Sequence, residues 1–274
     1  MRIASIGHAV FASTFAFIGI FGLIKGNFVP VWDGLPKTFY GHQALTNLCA
    51  VISLGCGIAL FSNRTAPSAA RLLFACLLLW LVWIKGRVIA LQPLVEASYQ
   101  TSGETAVLAA AAGVLYAWYA PDWDRRHLGL VTGVKGVRNA RLLYALALIA
   151  FGLSHFAYLN FTASLVPGWL PAHKVFAYFT GTAYIAAAAA ILFGVYARLG
   201  TALSAVQMGV FTLLVWVPTV FTDHADRAKW GEFVISCALT AAGWVVADSY
   251  RGTRWFAFGS PTASEATTAA GAWR

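Results

Sequence analysis

Lys85 and Arg87 stand two positions apart near the end of an apolar stretch that begins at about residue 70. Cations at membrane depth are costly, so they pair, line a cavity, or reach back to water along their own stems. Arg71 opens the stretch, and fourteen further residues at about 1.5 Å each place Lys85 roughly 21 Å along a helix, towards its far edge. Snorkelling and service in a ligand site are both open to the pair. His155 is the next candidate, inside Phe151-Gly152-Leu153-Ser154-His155-Phe156. An imidazole in an apolar helix either bonds to a neighbouring helix or offers a ligand a polar handle or a proton relay. Asp223-His224-Ala225-Asp226 has the residue types of a divalent-ion site. No second histidine sits beside it at ligand spacing, a solvated loop accounts for it equally well, and no metal is assigned.

A phrase built on tryptophan recurs half a chain apart. Val29-Pro30-Val31-Trp32 with Leu35-Pro36 returns as Val166-Pro167-Gly168-Trp169 with Leu170-Pro171. A fixed offset of this kind marks duplication. Aligning Trp80 with Trp216 on that repeat sets Arg87 against Asp223. Under a twofold relation the two approach one axis from opposite sides, so an ion pair between the halves is the expectation. Trp80 and Trp83 share a helix face with Arg87. These tryptophans and Trp169 act either as interfacial anchors or as surfaces on which a flat lipophile stacks.

The elements that position these residues are membrane helices. Hydrophobic residues make up 59% of the 274 positions and charged residues 11%, with mean hydropathy +0.70. Soluble domains carry about a quarter charged residues. The net charge of +9 does not indicate nucleic acid, because the basic residues lie in short loops with no aromatic-basic surface. None of the four cysteines forms C-x-x-C. Cys49 and Cys56 lie two turns apart on one helix, too far to bridge, so thiol exchange is not expected. No nucleotide-binding glycine loop or catalytic-serine motif is present.

Spans of about 20 apolar residues are needed to cross the hydrocarbon. Eight are expected, at about 4–24, 40–61, 70–92, 104–120, 141–160, 174–197, 200–221 and 231–250. The first is read as a retained helix rather than a cleaved leader. Thr101-Ser102-Gly103-Glu104 fits a capping box opening the fourth span, and Gly231-Glu232 opens the eighth. The fold class is therefore an all-α polytopic membrane protein, with eight transmembrane helices as two parallel four-helix repeats. Residues 1–120 form the first unit, 121–140 a polar cytoplasmic linker, 141–250 the second unit and 251–274 a disordered tail. Even-numbered repeats share one orientation, related by an axis along the membrane normal. Twelve of the 19 Lys and Arg residues fall on the side of the termini. That bias places both ends in the cytoplasm and both tryptophan loops on the outer face of a bacterial cytoplasmic membrane.

The second unit carries a resemblance. The stretch from Phe151 to Phe156, then Leu165 to Pro171, then Tyr178-Phe179-Thr180-Gly181 resembles the DoxX-like family of small four-helix membrane proteins. The first unit resembles a divergent copy, with Lys25-Gly26 near where His155-Phe156 would lie. The resemblance implies an accessory component of a membrane redox system, with a partner subunit and a quinone or another lipophilic small molecule as ligand. His155, Arg87, Asp223, Lys85 and Trp169 are the ligand-site residues expected on this reading. Duplicated halves also fit a transporter or channel for a small solute, and a non-catalytic assembly factor is the third alternative.

Overall fold

The computed structural model describes residues 5–222 and 226–258, and no strand occurs among them. The long helices are α1 (Ile6–Lys25), α2 (His42–Ala59), α3 (Ala66–Leu91), α4 (Glu96–Tyr119), α5 (Gly133–Ala157), α6 (His173–Phe193), α7 (Ala197–Thr222) and α8 (Arg227–Asp248). All of these except α4 are long and apolar enough to cross a membrane. Large side chains such as Ile24, Leu48, Leu79, Leu146, Phe193 and Leu213 face outward, as lipid contact demands.

Helix ends follow local chemistry. The Ser5 hydroxyl accepts the His8 amide at 3.0 Å to start α1, which stops on left-handed Gly26. Asp226 starts α8 by accepting the Ala228 amide at 2.8 Å. Two expected caps are not caps. α4 begins at Glu96, so Thr101 and Glu104 lie inside it rather than at its start. Residues three apart share a face within a helix as well as across a cap. Burial of Ser98, Ser102 and Gly103 against neighbouring helices holds the earlier turns in helical form. Glu232 likewise lies beyond the first turn of α8, which begins at Arg227. The segment read as a linker holds a short helix, Asp122–His127, and the first two turns of α5.

Packing follows the chain. α1 lies on α2, α2 on α3 and α3 on α4; α5 lies on α6, α6 on α7 and α7 on α8. The two sets meet where α4 packs on α5, α8 on α1, and α4 on α8. α4 is enclosed by this arrangement, with every residue from Thr105 to Ala117 buried. Glycines permit the tightest approaches: a Cβ on Gly57 would meet the Ala16 backbone nitrogen at 2.3 Å, and one on Gly152 the Gly181 carbonyl oxygen at 2.8 Å. The helix starts keep a common spacing. His42 and His173, Ala66 and Ala197, and Glu96 and Arg227 are each 131 positions apart (173 less 42, 197 less 66, 227 less 96).

At the end of the bundle that carries the described termini, one arginine closes the C-terminus of α8 and a second ties down the chain after it. Arg141 donates from Nε to the Ser249 hydroxyl at 2.8 Å and from its guanidinium to the Ser249 carbonyl, and it stacks 3.6 Å from the Tyr250 ring. Arg198 donates to the Thr253 carbonyl at 2.6 Å and lies over Trp255. The Arg141 cation complements the negative end of the α8 dipole.

Candidate functional site

At the opposite end, the two tryptophan loops meet around one cavity of about 540 Å³. Pro30 and Asp33 reach it from the first loop, Pro167 and Leu170 from the second. Its wall is formed by α4 through Thr101 and Glu104, α5 through Ser154 and His155, α6 through Thr180 and Tyr184, α7 through Gln207 and Trp216, and α8 through Glu232 and Ser236. Most of the lining is aliphatic or aromatic, and the polar minority includes three carboxylates and a histidine.

Each half handles its tryptophan loop differently. In the first, Trp32 is driven inward and donates from its indole nitrogen to the Ser53 hydroxyl at 2.9 Å. It stands edge-on to Trp80 at 5.4 Å, and Trp80 in turn donates to the Asp33 carbonyl at 3.1 Å. Lys85, only 1% exposed, forms an ion pair with the Asp33 carboxylate. The Thr105 hydroxyl donates to the Val31 carbonyl at 3.1 Å and ties this plug to α4. In the second half, Trp169 faces outward and its loop borders the cavity through Pro167 and Leu170.

Both α3 and α7 carry a π-helical segment, Trp80–Lys85 and Thr212–Trp216. The extra residue in a π turn re-aims side chains, and such turns concentrate at functional sites. Here the segments end on Lys85, which anchors the plug, and on Trp216, which lines the cavity. The Thr212 hydroxyl meets Ser236 at 2.7 Å and Thr240 at 3.1 Å, fixing the second π segment to α8.

His155 projects into the cavity from α5. Its Nδ1 lies 2.7 Å from the Phe151 carbonyl oxygen, and a carbonyl only accepts, so Nδ1 carries the proton. The neutral ring then presents Nε2 as an acceptor. Tyr184 tilts against the imidazole at 5.5 Å, and a Cβ on Gly181 would lie 2.8 Å from the His155 Cβ, so the ring is packed from α6. Gln207 is held by donating to the Thr180 carbonyl at 3.1 Å.

The charged groups gather at one side. Glu104 lies within electrostatic reach of Glu232, Asp33 and Lys85, and Glu232 within reach of Asp33 and Lys25. No group of three or more His, Cys, Asp or Glu side chains is placed to hold a metal ion among the described residues. The four cysteines are free thiols.

Of the five residues expected from sequence to form a ligand site, His155 lines this cavity and Lys85 supports it through Asp33. Arg87 is exposed on α3 and Trp169 on its loop; neither is part of the cavity wall. Asp223 and the neighbouring His224 lie outside the described residues, and so does any pairing of Asp223 with Arg87. At the spacing shared by the helix starts, Arg87 falls opposite Pro218 and not Asp223. Asp33, Glu104 and Glu232 were not singled out as ligand residues from sequence. For Glu104 and Glu232 the available signal is a carboxylate at the start of an apolar run, which reads as a helix cap unless the helix start is known. No protein family, curated relative or solved structure matches this chain.

Proposed function

We propose that the chain crosses the membrane eight times as two parallel, DoxX-like four-helix units, and that the second unit binds a small lipophilic molecule. The common spacing of 131 between helix starts supports duplication. So does the packing, since α4 on α5 and α8 on α1 exchange under a twofold axis that α4 and α8 straddle. α4 serves as the fourth span, added to the seven apolar ones, because its neighbours, not its own hydropathy, shield it from lipid. The arginine-rich end supports an orientation with the termini in the cytoplasm of a bacterial cell and the cavity on the outer side.

The observation that carries the ligand reading is the contrast between the units. Trp32, Trp80 and Lys85 fill the interior behind the first tryptophan loop, whereas a cavity of about 540 Å³ opens behind the second, walled by the second unit together with Pro30, Asp33 and Glu104 of the first. A specific observation favours a second reading within it, an accessory role in a membrane redox system. The Nε2 of His155 accepts, so it suits the hydroxyl of a quinol rather than the carbonyl of a quinone. Native mass spectrometry of the protein extracted in mild detergent tests the first reading. A bound lipophile that disappears in Ala177→Phe, which fills the cavity wall, is the expected result. Phospholipid alone, equal in both proteins, overturns it.

A further inference from the structure

We infer that the cavity selects an organic cation, an amine or quaternary ammonium carried on an apolar or aromatic body; this rests on reading the cavity as a ligand site. The chain has 19 Lys and Arg against 10 Asp and Glu. The cavity inverts that balance: Asp33, Glu104 and Glu232 line it, and no Lys or Arg does. Lys85 satisfies Asp33 from behind the wall. No hydrogen bond or ion pair of Glu104 or Glu232 occurs among the described residues; Lys85 acts on Glu104, and Lys25 on Glu232, only at range. Glu104 is half-buried and Glu232 exposed, both opening on a mostly apolar space where an attached cation would meet them at low dielectric.

The rest of the wall fits the same ligand. Phe151, Tyr158, Tyr184, Phe211 and Trp216 present aromatic rings to the space, and ring faces attract ammonium groups within about 6 Å. The acceptor Nε2 of His155 adds a place for an N–H donor. The carboxylates are too dispersed to form a metal cluster, an arrangement that matches a charge attached to a bulky apolar body better than a bare ion.

The test uses full-length protein in nanodiscs of zwitterionic lipid, titrated by calorimetry with phenyltrimethylammonium and with tert-butylbenzene, its neutral isostere. The expected result is at least tenfold tighter binding of the cation. In Glu104→Gln/Glu232→Gln the preference falls to about twofold or less, while the neutral compound binds as before. Equal binding of the two compounds to the unaltered protein overturns the cation inference and leaves the lipophile site standing. Binding of neither, together with no lipophile lost from Ala177→Phe, overturns both. If the double variant fails to fold, the preference of the unaltered protein decides the question alone.

Discussion

Trp32 and Trp169 hold the same place in a repeated phrase yet lie at opposite extremes of burial, 2% exposed against 72%. One indole fills a protein interior and bonds to Ser53; the other lies at the surface beside an open cavity. Trp32→Ala removes a close-packed ring, and loss of such a ring costs about 3–5 kcal/mol. Trp169→Ala, at an exposed position, changes stability by about 0.5 kcal/mol or less. Thermal unfolding of the two variants in the same detergent checks the contrast; equal losses would contradict the asymmetry of the halves.

The ion pair under the plug is asymmetric in the same way. Lys85 is buried, whereas Asp33 is 45% exposed through the cavity. Asp33→Asn leaves a buried cation without its partner, a change of about 3 kcal/mol or more. Lys85→Met leaves a carboxylate that water in the cavity can solvate, so its loss is smaller. Unfolding midpoints should therefore rank Lys85→Met above Asp33→Asn, with the double variant close to Lys85→Met.

Two glycines in α2 separate close approach from mere smallness. A Cβ on Gly57 would meet the Ala16 nitrogen at 2.3 Å and the Ala12 carbonyl oxygen at 2.8 Å, while one on Gly55 meets nothing within 4 Å. Gly57→Ala must spread α1 from α2, at about 1–3 kcal/mol. Gly55→Ala should be neutral or gain up to about 1 kcal/mol from helix propensity. The same unfolding assay compares them.

These positions mark how far the sequence could be read. Apolar runs locate membrane helices because lipid permits little else, and seven of the expected spans coincide with helices apolar enough to cross. Carboxylates were harder. Thr101 and Glu104 form a pattern that a cap and a helix interior share, and only the start at Glu96 separates the two. The role of Asp33 depends on Lys85, 52 positions away, meeting it across the plug. Neither the inward turn of Trp32 nor the outward turn of Trp169 is encoded in the shared Trp-Leu-Pro phrase. Packing by Ser53, Trp80 and Thr105 decides it.

Glu96, eight residues ahead of the apolar part of α4, introduces a pH dependence. Both its carboxylate oxygens are buried with no hydrogen-bond partner among the described residues, and burial pushes the group from 4.5 up to about 7. The folded protein thus holds this proton more tightly than the unfolded chain. The stability it confers is complete below about pH 4.5 and is lost as pH rises through about 7. The unfolding midpoint should fall over that window, and Glu96→Gln should flatten the fall. An identical pH profile in the variant would show that Glu96 is not the source.

Whether α4 crosses the membrane decides the orientation of everything after it. Leu94 precedes α4 and is 98% exposed, as is Tyr40; Arg126 and Arg64 are exposed at the opposite end of the bundle. If α4 crosses, a membrane-impermeant maleimide applied to intact cells labels Tyr40→Cys and Leu94→Cys. Arg64→Cys and Arg126→Cys then react only after lysis, in a background freed of the four native cysteines. If α4 does not cross, Leu94→Cys and Arg126→Cys react together. The second unit would then be inverted relative to the first, the two tryptophan loops would sit on opposite faces, and Asp33 could not share a cavity with His155. Because the structure places Asp33 and His155 on one wall, the labelling pattern expected is the one with α4 across the membrane.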